Sequence, residues 1–365
     1  MSRPGPSRSS LKLTAYFGER QRVAQDGRRP GFLADAMLDL FDRKDIATSV
    51  MLRGIASFGP RHVLRTDQSL SLSEDPPVAV TAVDVEPKII GLVDDVLALT
   101  GRGLVTLERA GRVDSGNFPA GAGDAVKLTV YIGRQERVSG QPAHRAVCDL
   151  LRRHQFSGAT AFLGVDGTAR GTRYRAAFFS RNVNVPLMVV AIGTPAQASA
   201  AVAELGALAP GALMTIEQVR QCKREGRLLD RPHRLPDTDG QGRPLWQQLT
   251  VHTSGSTTSA GAPIHRALVS RLLESGTAHG VTVLRGIWGF DGDRNPNGDK
   301  LFQLTRRTPV VTTIIDTPER IAQSFDIVDE LTAQHGLVTS EMIPAAVTVD
   351  GPHRDGGTEL ADHAC

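Results

Sequence analysis

Short stretches of alternating apolar and polar residues recur along the chain and predict β-strands. LKLTAYFG at residue 11 returns as VKLTVYIG at residue 126 and, more distantly, as QQLTVHTSG at residue 247. Runs such as PVVTTIID and VPLMVVAIG are apolar almost throughout and also predict strands. A helix is predicted after each of Pro30, Pro142 and Pro263, because proline is favoured in a first helical turn.

The order of these elements is the same in each copy. A strand ends at a tripeptide such as RGI, a polar loop follows, and an apolar strand leads to a second helix at TPE or TPA. In these tripeptides Thr317 and Thr194 are expected to cap the helix and the following proline to begin its first turn. GLVTLE and GLVTSE supply a final strand. The predicted order is βαββαβ, with two helices on one face of an antiparallel sheet, as in ferredoxin-like domains.

The repeats divide the chain into three units. QPAHRAV and APIHRAL lie at the same spacing as the strands that precede them, so the register holds into the helix. The second copy is the most divergent, with Leu163 where the others have arginine. The predicted boundaries are a disordered N-terminus (1–10), repeat 1 (11–110), a linker (111–125), repeat 2 (126–219), a linker (220–246), repeat 3 (247–347) and a flexible tail (348–365).

Both linkers are rich in glycine, proline and charge, and the first spans about 50 Å if extended. Units on such tethers either move independently or close into a ring with approximate threefold symmetry, and the sequence leaves both arrangements open.

Composition narrows the function classes. The chain is 40% apolar and 22% charged, and its net charge of +3 is too small to indicate a nucleic-acid partner. No apolar run approaches the roughly 18 residues that span a bilayer, so a cytoplasmic protein is expected. The three cysteines are far apart and predict free thiols.

The stretch GFDGDRNPNGDKLF places oxygen-bearing side chains two residues apart, as in a calcium-binding loop. The twelfth position, counted from Asp293, should be glutamate and is Leu304. The flanking segments also resemble strands rather than the helices that such a loop joins. A polar connection between strands is therefore the preferred interpretation, and no metal ligand is predicted.

RGIASFG, LSLSEDPPVAVTAVD and GLVTLE in the first copy, with RGIWGF and GLVTSE in the third, resemble the PII-like signalling proteins of the branch called domain of unknown function 190. The resemblance implies an α+β fold of three tandem ferredoxin-like PII-like domains, closed as an intramolecular pseudo-trimer within a monomeric chain. It also implies non-enzymatic regulation. A small anionic ligand, with an adenine nucleotide as the candidate, would bind between domains, and loops between strands two and three would contact a membrane transporter or channel.

Candidate ligand residues follow from this resemblance and from their chemistry. An arginine at a strand end, followed by glycine, offers a bidentate guanidinium and a backbone that a phosphate can approach closely. Other glycines near the same edge offer bare backbone N–H groups. The alternative is that the arginines form salt bridges between units and the glycines serve turns. The predicted ligand-binding residues are Arg53, Gly54, Gly59, Gly103, Arg285, Gly286, Gly289 and Gly336.

Three loops occupy the position of the signalling loop: GPRHVLRTDQS, DGTARGTRYRA and GDRNPNGDK. They are polar and differ in sequence, as recognition loops on a constant scaffold do, although plain connections between strands would have the same composition. The predicted partner-contacting residues are Arg61, Arg65, Asp293, Asn297 and Lys300.

Competing functions have weaker support. No nucleophile elbow, Walker loop, HExxH or Rossmann fingerprint occurs, which disfavours a small hydrolase. Aromatic residues are only 5%, which disfavours an RNA-binding sheet. A divalent-metal-binding tolerance protein of the same trimeric architecture remains the closest alternative. Because Leu163 replaces an arginine, the clefts are predicted to be unequal, with at most two strong anion sites.

Overall fold

The structure is a computed structural model that describes residues 9–25, 28–66, 75–113, 125–176, 184–292, 297–298 and 308–363. Most of the predicted N-terminal segment 1–10 lies outside these residues.

Within the described residues the chain forms three units in succession. Unit 1 contains β1 (Ser10–Gly18), β2 (Arg22–Gln25), β3 (Arg28–Phe32), α1 (Leu33–Arg43), β4 (Thr48–Phe58), β5 (Arg65–Thr66), β6 (Pro77–Val85), α2 (Glu86–Leu99), β7 (Arg102–Arg109) and β8 (Gly111–Arg112). Unit 2 contains β9 (Ala125–Gly133), β10 (Arg137–Val138), β11 (Gln141–Pro142), α3 (Ala143–Arg153), β12 (Gly158–Leu163), β13 (Asp166–Ala169), β14 (Thr172–Arg175), β15 (Pro186–Gly193), α4 (Pro195–Leu208), β16 (Leu213–Arg224) and β17 (Arg227–Leu228). Unit 3 contains β18 (Trp246–Ser254), β19 (Thr258–Ser259), β20 (Ala262–Pro263), α5 (Ile264–Ser275), β21 (Val281–Arg285), β22 (Trp288–Asp291), β23 (Asn297–Gly298), β24 (Pro309–Asp316), α6 (Pro318–Leu331), β25 (Leu337–Ile343), β26 (Ala345–Asp350) and β27 (His353–Gly356).

The four main strands of each unit pair in one antiparallel order. In unit 1, β1 lies between β6 and β7, and β4 pairs with the other edge of β6. Unit 2 repeats this order as β16, β9, β15 and β12, and unit 3 as β25, β18, β24 and β21. Each unit is therefore a mixed α/β domain built on an antiparallel sheet.

Each unit has its own apolar core, in which side chains of its two helices pack with those of its sheet. Phe41 and Leu92 are fully buried in the core of unit 1. Phe325 of α6 is fully buried in the equivalent core of unit 3. The central strands are buried along almost their whole length, as β6 is from Pro77 to Asp84. A strand covered on both faces needs apolar residues on both, which explains runs such as PVVTTIID.

Details at the helix starts differ from the sequence predictions. Pro142 and Pro263 are N-cap residues, whereas Pro30 lies in β3, before α1 begins. Thr194 forms the expected side-chain cap, with Gln197 completing a capping box. Thr317 makes no such bond, and its N–H instead donates to the carboxylate of Asp316.

Strand pairs join each unit to both of the others. β4 of unit 1 pairs with β13 of unit 2 and with β21 of unit 3, and β12 of unit 2 pairs with β22 of unit 3. A second set of pairs joins β16 to β8, β25 to β16, and β7 to β26. All the main strands thereby belong to one large sheet. Hydrogen bonds of the backbone consequently link units 1 and 2, 2 and 3, and 3 and 1.

A polar cluster lies where the strands of the three units meet, with Lys12 half-buried and the other members buried, and its members occupy matching positions of the repeats: Lys12, Lys127, Gln248, Glu108, Glu217 and Glu341. The Lys12 ammonium lies 2.6 Å from Glu108 and donates to Glu217 at 2.5 Å. The Lys127 ammonium donates to both oxygens of Glu341 at 2.6 Å and lies 2.8 Å from Glu217. Glu217 of unit 2 thus accepts a hydrogen bond from Lys12 of unit 1, and Glu341 of unit 3 accepts one from Lys127 of unit 2.

The pKa values in this cluster shift in opposite directions. Burial raises the pKa of Glu108 more than the two ammonium groups lower it. For Glu217 burial also acts upwards, but Lys12 and Lys127 outweigh it and lower the pKa to about 2. Gln248 donates to Glu341 at 2.7 Å where the other units have lysine. Three carboxylates therefore share two ammonium groups, and burial favours the protonated form of Glu108.

The predicted linker 220–246 and tail 348–365 differ most from the structure. β16 continues to Arg224 and turns back through β17, inside the predicted linker. Residues 345–356, predicted as the end of repeat 3 and the start of a flexible tail, form the hairpin β26–β27, whose first strand pairs with β7 of unit 1. The pattern AAVTVD does alternate, but its partner strand lies in another unit. No helix in the described part of the chain is long and apolar enough to cross a membrane.

Candidate ligand clefts between the units

A cleft of about 500 Å³ lies between unit 1 and unit 3 and is called here the 1–3 cleft. Unit 1 contributes the end of β1, the end of β4 with the loop after it, and the start of β7. Unit 3 contributes parts of β21 and β24, the residue Trp246, and the hairpin β26–β27. Its lining includes Tyr16, Phe58, Arg61, Arg102, Trp246 and Asp350.

A second cleft, of about 440 Å³, lies between unit 2 and unit 3 and is called the 2–3 cleft. Its lining includes Gly158, Thr160, His252, Ser254, Gly289 and Asp291. The repeat places the two clefts at equivalent positions. Residues 280–282 line the first where residues 158–160 line the second, and Pro77 corresponds to Pro309. The two sites therefore share a backbone frame and differ in their side chains.

The 1–3 cleft holds two arginines on one carboxylate. Arg61 donates from Nε and Nη2 to the two oxygens of Asp350 at 2.8 and 2.9 Å, and Arg102 donates from Nε at 3.0 Å. These hydrogen bonds, with the Arg61 bond as the main cause, hold the pKa of Asp350 below its ordinary value. The side chains are 60% (Arg61), 51% (Arg102) and 32% (Asp350) exposed, so all three remain accessible to water.

Aromatic side chains form another part of the same lining. Tyr16, Phe17 and Phe58 come from unit 1, and Trp246 comes from unit 3. Trp246 is buried and its indole Nε1 has no hydrogen-bond partner. Burial raises the pKa of Tyr16, so its hydroxyl stays neutral throughout the ordinary pH range. Arginines beside aromatic rings suit a ligand that combines an anionic group with a flat apolar group.

The 2–3 cleft has a different chemistry. Hydroxyl groups of Thr253, Ser254 and Ser256 line it, and its described lining contains no arginine. His252 occupies the position of Tyr16, and its burial, together with the charge of Lys127, lowers its pKa to about 4. This histidine is therefore neutral at pH 7. An anion has fewer charged donors here than in the 1–3 cleft.

The predicted ligand residues of unit 1 separate into two groups. Gly59 and Gly103 line the 1–3 cleft. Arg53 lies outside its lining, where the exposed guanidinium donates from Nε to Glu19 at 2.6 Å. Gly54 lies where β4 and β21 approach closely, because a Cβ there would be 2.8 Å from the carbonyl oxygen of Val283.

The predicted residues of unit 3 are also divided. Gly289 lines the 2–3 cleft, and a Cβ there would be only 2.2 Å from the carbonyl oxygen of Ala159 on β12. A Cβ on Gly286 would lie 2.5 Å from Cγ2 of Thr160. Arg285, which is half-buried, and Gly336, which is buried, lie outside both linings. Close packing explains Gly286 and Gly289, and the ligand-binding role of Arg53 and Arg285 stays a prediction.

The predicted partner-contacting residues are only partly described. Arg61 belongs to the loop after β4 and Arg65 to the short strand β5, and both line the 1–3 cleft. Arg65 lies 3.5 Å from Asp75. Asp293 and Lys300 lie outside the described residues. The backbone of Asn297 belongs to β23, which pairs with Gly289 on β22.

The contact between units 1 and 2, called the 1–2 seam, is occupied by the hairpin β13–β14. Arg173 donates from Nη2 to Asp166 at 2.6 Å and to Asp35 of unit 1 at 3.0 Å, and from Nη1 to Asp39 of unit 1. Its side chain is 15% exposed and that of Asp166 only 4%. Leu163 stands at the end of β12 with Gly164 packed against the carbonyl oxygen of Pro186.

Residues of the 1–3 cleft that the sequence predictions missed include Arg102, Trp246 and Asp350. The GRG at residues 101–103 was a signal for Arg102, because it adjoins a predicted glycine. Asp350 had none, since it lies in the predicted tail and reaches the cleft only because β26 pairs with another unit.

The fold and clefts define a class of protein made of three repeated α/β domains. The model of the family called domain of unknown function 190, described as "Uncharacterized ACR", matches residues 10–111, 125–221 and 246–345. The chain belongs to this family, which confirms the family recognised from the sequence. It is also similar to a UPF0166 protein of Aquifex aeolicus, with 36% identity over 94 residues, covering 26% of this chain and 86% of that relative.

Proposed function

We propose that this chain is a non-enzymatic PII-like regulatory protein that acts as an intramolecular trimer of ferredoxin-like units. It binds a small anionic ligand, with an adenine nucleotide as the candidate, in the 1–3 cleft. Binding changes the loop after β4, which contacts a target such as a membrane transporter or channel. The observation that carries the proposal is the paired Arg61 and Arg102 beside an aromatic wall in a 500 Å³ cleft between units.

Several features support the trimeric arrangement. The strand order of each unit is that of a split βαβ domain. The pairings from unit 1 to 2, 2 to 3 and 3 to 1 are what an approximate threefold ring requires. A mass of one chain in light scattering is the expected result, and a mass near three chains would contradict it.

The position of Arg61 supports regulation through a loop. It follows β4 directly and lines the cleft with Arg65, so a ligand that binds between the units contacts the loop itself. The tolerance-protein alternative has less support. Its best metal candidate among the described residues is the carboxylate cluster of Glu108, Glu217 and Glu341, where two lysines already form ion pairs with all three carboxylates.

Tryptophan fluorescence tests the proposal directly. The chain has two tryptophans, and only Trp246 lines the 1–3 cleft, since Trp288 stacks under Arg145. In a Trp288→Phe variant, ADP or ATP should change the emission of Trp246, and calorimetry should find one strong site per chain. Adenosine is the control for the base alone. Unchanged emission and no heat with all nucleotides would refute ligand binding in this cleft.

A further inference from the structure

Asp350 brings a carboxylate from one unit onto the arginines of another. It lies at the end of β26, opposite Arg102 of β7 in the strand register. Arg61 donates hydrogen bonds to both oxygens of the Asp350 carboxylate, and Arg102 donates to one of them. A carboxylate held by both N–H groups of one guanidinium and a third donor has the geometry with which proteins bind free carboxylates and phosphates.

The charges at this point do not cancel. Two guanidinium groups face one carboxylate, and Arg65 of β5 is paired with Asp75 instead. Ion pairs with this degree of exposure are weak and exchange readily with solvent ions. An anion with two negative charges would neutralise both arginines, which Asp350 does only in part.

We infer that Asp350 is an internal occupant of an anion-binding position formed by Arg61 and Arg102, and that a phosphoryl group of the ligand displaces it. The inference rests on the proposed function, because it assumes that the 1–3 cleft binds an anion. It specifies the chemical group that the ligand must carry and the contact that is lost on binding.

The tether on Asp350 sets the ligand class. A carboxylate attached to the protein competes at an effective concentration in the millimolar range, so a free monocarboxylate exchanges like for like and gains nothing. A diphosphate gains charge, hydrogen-bond acceptors and a second contact. The position therefore selects phosphorylated ligands over simple carboxylic acids.

Displacement also has a consequence for the loop. Within the described residues, the Arg61 side chain is held against β26 by its hydrogen bonds to Asp350, and residues 59–62 form a turn closed by the His62 N–H on the Gly59 carbonyl. When a phosphoryl group replaces Asp350, Arg61 follows the ligand rather than unit 3. The link between the loop after β4 and the hairpin β26–β27 is then broken.

The test uses the full chain and two probes, inorganic pyrophosphate for the anion position and ADP for the whole cleft. Asp350→Asn keeps the side-chain shape and removes the competing charge. Glu359→Gln is the matched control, because Glu359 is also an exposed carboxylate of the C-terminal segment but lies outside the cleft lining. Calorimetry should show pyrophosphate binding roughly five- to tenfold tighter in Asp350→Asn and unchanged in Glu359→Gln. Arg102→Gln should weaken it roughly tenfold.

Each outcome decides one question. Equal or weaker pyrophosphate binding in Asp350→Asn, or no binding in any variant, would overturn the displacement. Tighter pyrophosphate binding without ADP binding in wild type or Asp350→Asn would retain the anion position and refute the nucleotide cleft. An ADP affinity that is unchanged in both Asp350→Asn and Arg102→Gln would support nucleotide binding but would show that the phosphoryl groups bind elsewhere.

Amide hydrogen exchange of residues 59–66 tests the release of the loop. Exchange should be faster in ligand-free Asp350→Asn than in wild type, and pyrophosphate should accelerate it in wild type. Equal exchange in the variant and in wild type would show that Asp350 does not hold the loop, whatever the affinities.

Discussion

The 1–2 seam and the 1–3 cleft both join units through arginines and aspartates, yet they differ in exposure. Arg173 is 15% exposed and holds aspartates of two units, one of which, Asp166, is 4% exposed. Arg61 is 60% exposed and its partner Asp350 32%. Removing one partner of a buried ion pair is costly, because the remaining charge has neither a partner nor water around it. The members of an exposed pair can instead interact with water and ions.

The comparison shows what fusing three repeats permits. In a trimer of identical subunits every contact between units carries the same residues. Here the hairpin β13–β14 fills one contact, while the equivalent region leaves a cleft of about 500 Å³ in another. The ion pairs of the 1–2 seam are largely buried, whereas those of the 1–3 cleft are accessible to water.

The largest expected effect comes from breaking the buried seam. Arg173→Met removes the partner of buried Asp166 and should lower the free energy of unfolding by about 3 kcal/mol. The loss is not expected to be larger, because Arg175 remains near the same carboxylate. Urea unfolding at pH 7 measures this loss. Arg175→Met is the control, since that side chain is exposed, and it should change little. Equal effects of the two variants would contradict a specific role of Arg173.

Acid should distinguish the 2–3 cleft from the 1–3 cleft. The pKa of His252 is lowered from 6.5 to about 4 by burial and by Lys127, so the unfolded chain takes up a proton at a higher pH than the folded chain. The contribution of His252 to the free energy of unfolding is therefore fully present above pH 6.5. It decreases by about 3 kcal/mol as the pH falls to about 4.

The whole protein should lose more stability in acid than His252 alone accounts for, because His144 and His265 also have pKa values lowered to about 4 by burial. His252→Gln should therefore reduce this loss without removing it. Unfolding midpoints in urea at pH 7 and pH 4.5 give the difference. His353→Gln, at an exposed position of the 1–3 cleft, is the control. An unchanged pH dependence in His252→Gln would show that His252 is accessible to water in the folded chain.

Glycine substitutions should separate packing from ligand contact. Gly289→Ala places a Cβ 2.2 Å from the carbonyl oxygen of Ala159 and should cost about 1–3 kcal/mol. Gly59→Ala meets no atom within 4 Å and should leave stability unchanged. Thermal unfolding compares the two. A stable Gly289→Ala variant would mean that β12 and β22 can separate, so that the 2–3 cleft is adjustable.

The smallest expected effect on stability is that of Asp350→Asn. The carboxylate is accessible to water and its arginines can be solvated, so the midpoint of urea unfolding should not change measurably. A clear loss of stability would place the Arg61–Asp350 contact with the buried seam, as part of what holds the units together, and would end the contrast between the two sites.

Much of the fold was predictable from local patterns. The three repeats, their order of strands and helices, and the family all follow from recurring segments such as GLVTLE and GLVTSE. The roles of some single residues were not. Asp84 and Asp316 each precede a helix, and each carboxylate accepts an N–H from the loop before a neighbouring strand, at Ala47 and His279.

The candidate site was predictable only in part. Gly59, Gly103, Arg61 and Arg65 all line the 1–3 cleft, because a repeat places them at one edge of its own sheet. Asp350 was missed, because it belongs to a hairpin whose hydrogen-bonding partner is β7, far away in sequence. A pattern within one segment carries no information about which distant strand it will meet.

By itself the sequence determined what is repeated: the strand and helix order of each unit and the apolar faces that form its core. Only the tertiary structure decided what lies between the units. Lys12 reaches Glu217 of unit 2, Arg173 reaches Asp35 of unit 1, and Asp350 reaches Arg61 of unit 1. Local periodicity encodes burial within a unit, whereas contacts between units depend on how three sheets align, which no pattern within one segment specifies.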